Sequence, residues 1–189
     1  MPPKCRFTKE EVIAAALEIV RRDGAEALTA RSLGEKLGSS PKPVFGQFEG
    51  MAQVQQAVGQ AAYAMYEACL REDMARGEYP PYKASGMAYI RFAREGKHLF
   101  RLLFMRDRTG EEVSKEMQGV DDLITMIMKN TGLTEEKARL MHLELWCFVH
   151  GVAVMAATGF VNWDNETVSR MMTDTYQGLV VRHGGIIRS

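Results

Sequence analysis

The sequence predicts an all-α protein, on three observations. Apolar residues recur at three- and four-residue spacing along nearly the whole chain. No run alternates in the manner of a half-buried strand. The breaks between periodic segments carry Gly, Pro or a Ser/Thr cap, which is the punctuation of helices. About nine helices are expected in the 189 residues, enough chain for a substantial core. Residues 1–50 are expected to form a three-helix helix-turn-helix domain, and residues 51–189 a larger helical domain for effector binding and dimerisation.

The first helix opens on a capping box: the Thr8 side chain can accept from the Glu11 amide while Glu11 reaches back to the Thr8 amide. Val12, Ile13, Ala16, Leu17 and Val20 then recur on one face until Gly24 stops it. Thr29 caps a second helix that carries Leu33 and Leu37 and ends at Gly38. Ser40 is expected to cap a third, with Pro41 and Pro43 in its first turn, where no intrahelical amide bond is lost. Lys42 precedes a proline and is pushed from helical angles, so the start of this helix is expected to be irregular. Val44 and Phe48 would point inward. Two short helices joined by a Gly-containing turn form the arrangement whose second helix enters the DNA major groove.

A fourth helix carries Val54, Ala57, Val58, Ala61, Ala62, Met65 and Cys69 and ends near Gly77. Pro80 and Pro81 break the chain before a fifth, with Tyr89, Phe92 and Ala93. Gly96 separates it from a short sixth, Leu99 to Phe104. A seventh carries Met117, Val120, Ile124, Ile127 and Met128 and stops at Asn130 and Gly132. Thr134 caps the eighth, which runs to about Gly159 and is apolar on nearly every face after Leu143. Such a helix must be covered on all sides. The ninth repeats Val168, Met171, Met172, Thr175, Tyr176, Leu179 and Val180. Val168, Met172, Tyr176 and Leu179 are the residues expected at a subunit interface, because two-fold proteins suit palindromic DNA sites.

The pattern T-x-x-x-L-x-x-x-L-G from Thr29 to Gly38, followed by S-x-x-P-V-F-x-x-F from Ser40 to Phe48, resembles the N-terminal domain of the TetR family of bacterial transcriptional regulators. The likeness covers about the first quarter of the chain. Trp146, His150 and Gly151 also resemble a W-x-x-x-H-G element of one subgroup. The resemblance implies a homodimeric repressor, joined through the last two helices and released from a palindromic operator by a small molecule. Ser40, Lys42, Pro43 and Gln47 would then face the major groove and Phe45 the sugar-phosphate backbone. Thr29 and Arg31 would hold phosphate. The family usually has Tyr in place of Phe45, often His in place of Gln47 and frequently Lys in place of Met51.

Charge is the counterweight. Basic and acidic residues balance at 24 each, and residues 1–50 hold eight against seven. Any phosphate-binding footprint is therefore local: Lys4, Arg6 and Lys9 near the start, Arg31, and Lys42. Cys5, Cys69 and Cys147 are odd in number and lack C-x-x-C spacing, which points to a reduced, cytoplasmic protein. The N-terminus has no apolar core of a signal peptide. The longest apolar stretch, Leu145 to Ala157, is shorter than the ~20 residues a membrane span requires.

Thirteen methionines suit either a gap-filled core or an adaptable binding surface. Met65, Phe92, Phe100, Phe104, Met128, Trp146 and His150 are the expected contacts of an apolar or aromatic effector, with His150 as its polar partner. Glu144, Cys147 and His150 share a helix face at three-residue steps, but no second ligand cluster accompanies them, so no metal is expected. No cofactor is expected either. The chain has no G-x-S-x-G elbow, phosphate-binding Gly loop or H-E-x-x-H, so it is not expected to be an enzyme. A helical carrier or enzyme without DNA binding is the alternative. The polar turn from Ser40 to Phe48 argues against it.

Overall fold

The computed structural model describes residues 7–107, 109 and 120–187. Within these, eight α-helices follow one another: α1 Lys9–Asp23, α2 Ala30–Lys36, α3 Met51–Arg76, α4 Pro81–Glu95, α5 Lys97–Phe104, α6 Asp121–Thr131, α7 Glu135–Thr158 and α8 Asn165–His183. Two 3-10 turns, Ala25–Ala27 and Lys42–Gly46, join them, and no strand occurs among the described residues. The expectations placed on Lys4, Cys5, Arg6, Met117 and the Val44 side chain lie outside the described residues.

The third expected helix is a correction: Lys42–Gly46 is a five-residue 3-10 turn, not an α-helix capped by Ser40. Pro41 and Pro43 remove two amides and hold the residues before them away from α-helical angles, so the tighter turn is what the chain can form there.

Contacts divide the chain into two compact units, Met1–Cys69 with Glu95–Arg106, and Leu70–Arg94 with Asp107–Ser189. The division differs from the boundary expected at residue 50. Most of α3 belongs to the first unit, and α5 returns to it by packing on α1.

In the first unit α1 buries Val12, Ala15, Ala16, Ile19 and Val20, while Ile13 and Leu17 are only half-buried. The remaining core comes from Leu28, Leu33, Phe48, Val54, Val58, Ala62, Leu99, Phe100 and Leu103. The capping box forms as expected: Glu11 N donates to Thr8 Oγ1 at 3.2 Å and Thr8 N to Glu11 Oε2 at 2.8 Å. Thr8→Ala is expected to lower the unfolding free energy by about 1 kcal/mol, measured by urea titration, without altering oligomeric state.

In the second unit Ile124, Ile127, Leu133, Ala138, Met141, Leu145 and Val180 form one buried cluster that joins α6, α7 and α8. Tyr82, Met128, Tyr176 and Leu179 pack around it. Arg139 of α7 bonds both Glu135 and Asp121, which braces α7 against the start of α6. Helix α7 is longer than its most apolar stretch suggested: 24 residues, long and apolar enough by length and composition to cross a membrane, with only a minority of that stretch buried.

Candidate nucleic-acid interface

Helix α2, the turn after it and the 3-10 turn build one outward-facing corner of the first unit. Thr29 starts α2 with a second capping box: Ser32 N donates to Thr29 Oγ1 at 3.1 Å, and Thr29 N donates to Ser32 Oγ at 3.0 Å. The Ser32 hydroxyl in turn donates to the Ala27 carbonyl at 2.7 Å. The Thr29 amide and side chain, expected to hold phosphate, are thus engaged in capping.

After α2 the chain reverses at Gly38, which sits in the left-handed region at φ 62°, and Ser39 N closes the turn on the Gly34 carbonyl at 2.9 Å. Gly34 is buried because this turn lies against it. A Cβ there would meet Pro41 N and Ser39 O at 3.0 Å and Ser40 C at 3.1 Å, all backbone atoms. The absence of a side chain at Gly34 therefore sets how closely α2 and the reading turn approach.

The corner exposes Arg31, Ser40, Lys42 and Phe45, leaves Pro43 half-buried, and buries Phe48. Arg31 Nε donates to Glu35 Oε1 at 2.9 Å in an exposed i,i+4 pair. Such pairs are weak, so a phosphate can displace Glu35 at little cost. Gln47 is half-buried like Pro43, and its Nε2 donates to the Phe7 carbonyl at 3.0 Å. Lys9 lies with its Nζ 5.5 Å from the centre of the Phe48 ring.

The second unit carries a different polar cluster. Tyr82 and Tyr89 lie two turns apart on α4, and their hydroxyls meet His142 Nδ1 and His150 Nδ1 of α7, each at 2.9 Å. Burial pushes both imidazoles below their ordinary value near 6.5 and the Tyr82 phenol above its own. A neutral imidazole pairs with its tyrosine in one of two ways: Nδ1 accepts the hydroxyl proton with the ring proton on Nε2, or Nδ1–H donates to the phenol oxygen. Trp146 stacks on His150, rings 16° from parallel with centroids 5.2 Å apart. No local motif in the sequence pairs His150 with Tyr89. The seven-residue spacing of Tyr82 and Tyr89 against the eight-residue spacing of His142 and His150 was the available signal.

The histidines carry a pH prediction. A histidine whose folded pKa is depressed gives stability that is complete above its unfolded value and is lost as pH falls below it. The unfolding temperature is therefore expected to hold above pH 6.5 and fall progressively below it. His142→Gln with His150→Gln should flatten that fall, since a glutamine carbonyl can accept the same tyrosine protons.

Residues 82–176, half of the chain, match the family described as "Tetracyclin repressor-like, C-terminal domain". The chain belongs to the TetR family. Among curated relatives, the class D tetracycline repressor protein of Escherichia coli and the class H protein of Photobacterium damsela subsp. piscicida are each 29% identical over 108 residues. Those matches cover 57% of this chain and 44% of each relative, so they span less than half the relatives' length. A solved structure of a protein of unknown function from Rhodococcus sp. RHA1 covers 97% of this chain and 99% of its own, at TM-score 0.72 and 18% identity. It shares the all-helical fold.

Within this TetR-family chain the expected effector contacts fall in two groups. Met65, Phe100 and Phe104 belong to the first unit, where Phe104 packs between Phe100 and Tyr66, and Met65 is exposed. Phe92, Met128, Trp146 and His150 belong to the second. Phe92 is buried, Met128 packs on the α6–α8 cluster, and Trp146 and His150 are brought together. Glu144, which shares a helix face with Cys147 and His150, bonds His183 Nε2 at 2.7 Å. No group of three metal-ligating side chains assembles among the described residues.

Of the expected interface residues, two are covered by the chain itself. Val168 and Met172 are buried inside their own subunit, and Tyr176 and Leu179 pack against its core. The apolar side chains that α7 and α8 leave exposed are Leu140, Leu143, Trp146 and Val181. An amphipathic stripe in the sequence does not say whether its own subunit or a second one covers it.

Proposed function

We propose that this protein is a homodimeric transcriptional repressor that binds a palindromic DNA operator and releases it when a small apolar or aromatic effector binds. The observation that carries the DNA-binding reading is the corner at Thr29–Gly46, where Arg31, Ser40, Lys42 and Phe45 face solvent around a turn held by backbone contacts to Gly34. A turn built for internal packing alone has no use for that exposed set. Arg31 takes phosphate once Glu35 is displaced, Thr29 orients the α2 N-terminus, Ser40, Lys42 and Pro43 meet base edges, and Phe45 rests on the sugar-phosphate backbone.

Selection of bound duplexes from a random library tests this directly. The expected result is a two-fold symmetric site whose half-sites are about one helical turn apart. No enrichment above a non-binding control would overturn the reading. Lys42→Ala should weaken binding to the selected site by roughly five- to 150-fold, since a good base contact is worth about 1–3 kcal/mol.

The second copy is placed on α7 and α8. Leu140, Leu143 and Trp146 are 49%, 44% and 42% exposed, and Val181 is 66% exposed. Gly151 of α7 and Gly178 of α8 lie mid-helix with nothing within 4 Å of an added Cβ. A mid-helix glycine costs about 1 kcal/mol relative to alanine. The close approach of a partner helix would offset that cost, and it accounts for a helix apolar enough to resemble a membrane span. Membership of the TetR family supports a cytoplasmic location.

The effector site is centred on His150, whose ring is held by Tyr89 at Nδ1 and by Trp146 stacked on its face, a polar group among apolar ones that suits a largely apolar molecule. Trp146 stacks on that ring, so its emission is expected to change when an inducer binds. His150→Ala should weaken inducer binding while DNA affinity without inducer stays the same. An inducer that binds this variant as tightly as wild type would move the site elsewhere.

A further inference from the structure

Tyr82–His142 and Tyr89–His150 repeat one arrangement along the same two helices. In each, a tyrosine hydroxyl of α4 lies 2.9 Å from an Nδ1 of α7, with ring centroids 6.0 and 6.1 Å apart. The two histidines are separated by about 12 Å along α7, at a rise of about 1.5 Å per residue. Trp146 lies midway, four residues from each, so His142, Trp146 and His150 form one row on that helix. Trp146 is stacked on His150, and its side is 42% exposed. Between the two tyrosines α4 carries Ser85, whose hydroxyl turns back to the Tyr82 carbonyl at 2.7 Å, and Gly86.

Joining two helices needs only that the tyrosine hydroxyls be satisfied. The pairs leave more than that. The two nitrogens of an imidazole point in nearly opposite directions, so with Nδ1 on Tyr82 the Nε2 of half-buried His142 is turned away from that hydroxyl. Nothing bonds it among the described residues. His142 thus repeats, at the far end of the Trp146 indole, the kind of polar group that His150 supplies at the near end.

We propose that His142 is a second polar contact of the effector site, and that the effector is a flat, elongated aromatic molecule with a hydroxyl at each end, lying along Trp146 from His150 to His142. The inference rests on the effector site placed at His150 above. A neutral imidazole nitrogen accepts or donates according to its tautomer, and a hydroxyl is the end group that meets either state.

Two probes of one skeleton test this: trans-stilbene with a single para hydroxyl, and trans-stilbene with a para hydroxyl on each ring. Binding is read as quenching of Trp146 emission in full-length Trp163→Phe protein, where Trp146 is the single tryptophan. The diol is expected to bind about five- to tenfold more tightly than the mono-ol, the gain that one further hydrogen bond supplies. The comparison is repeated in Tyr82→Phe/His142→Leu, which removes both partners and so leaves no buried hydroxyl unpaired. There the mono-ol should bind within about twofold of its former affinity. The diol's advantage should shrink to about twofold, the statistical gain of a molecule that enters by either end.

Equal affinity for the two probes without the rung substitutions would overturn the second contact and leave the His150 site standing. A diol advantage that survives Tyr82→Phe/His142→Leu would place that contact elsewhere and overturn the proposal too. Loss of the mono-ol in the same variant would make the Tyr82–His142 pair a strut for the His150 site, with the same consequence. Emission unmoved by either stilbene would remove the effector site at His150 itself, a result distinct from the others.

Discussion

Leu143→Glu is expected to give a folded monomer that no longer binds a two-half-site operator. Leu143 is 44% exposed in the subunit, so the charge stays in water and the subunit fold should survive. On α7 it is flanked at three- and four-residue steps by Leu140, Trp146 and Cys147, all exposed. A partner seated on that stripe would bury the carboxylate without a counter-charge, and loss at the centre of an interface typically costs 2 kcal/mol or more. That is roughly a thirtyfold weaker dimer, readable by sedimentation equilibrium. Leu179→Glu is the poorer test, because Leu179 packs on the α6–α8 core and its change would damage the subunit. Wild-type protein that sediments as a monomer at micromolar concentration would remove this interface altogether.

Gly34→Val should abolish operator binding while the dimer persists. An added Cβ would lie 3.0–3.1 Å from three backbone atoms of Ser39, Ser40 and Pro41, tighter than ordinary contact. A side chain can rotate aside, but here the backbone of the reading turn would itself have to shift. Valine adds two further methyl groups in the same space. Overpacking of this kind typically costs about 1–3 kcal/mol. The larger consequence is geometric, since the turn displaced from α2 is the one that presents Ser40, Lys42 and Phe45. DNA affinity should fall more than a hundredfold, and Gly34→Ala should lie between the two. Operator binding by Gly34→Val within tenfold of wild type would show that the turn does not read DNA in this geometry.

Much of the chain's local organisation was legible in its residues. The Thr8–Glu11 box, Thr29 as the cap of α2, the proline break before α4 and the glycine stop after α7 follow from rules spanning a few positions. The irregular third helix was half-legible. Lys42 before Pro43 announced a distorted start, but the full change to a 3-10 turn was not foreseen. Thr134 marks the start of α7 without its side chain making a capping bond.

By itself the sequence determined an all-helical chain, the ends of most of its helices, and membership of the TetR family through short motifs and helix punctuation. These depend on caps, glycines, prolines and periodicity, whose physics is contained within one or two helical turns. Tertiary structure alone decided that Gln47 turns to Phe7, that Tyr89 meets His150 across 61 positions, and that Val168 and Met172 face inward while Leu143 and Val181 do not. The reason is that α7 is apolar on more than one face and α8 mixes apolar with polar positions. Periodicity can mark such faces as needing cover, but only the packing of α4, α6, α7 and α8 settles which of them the subunit covers itself.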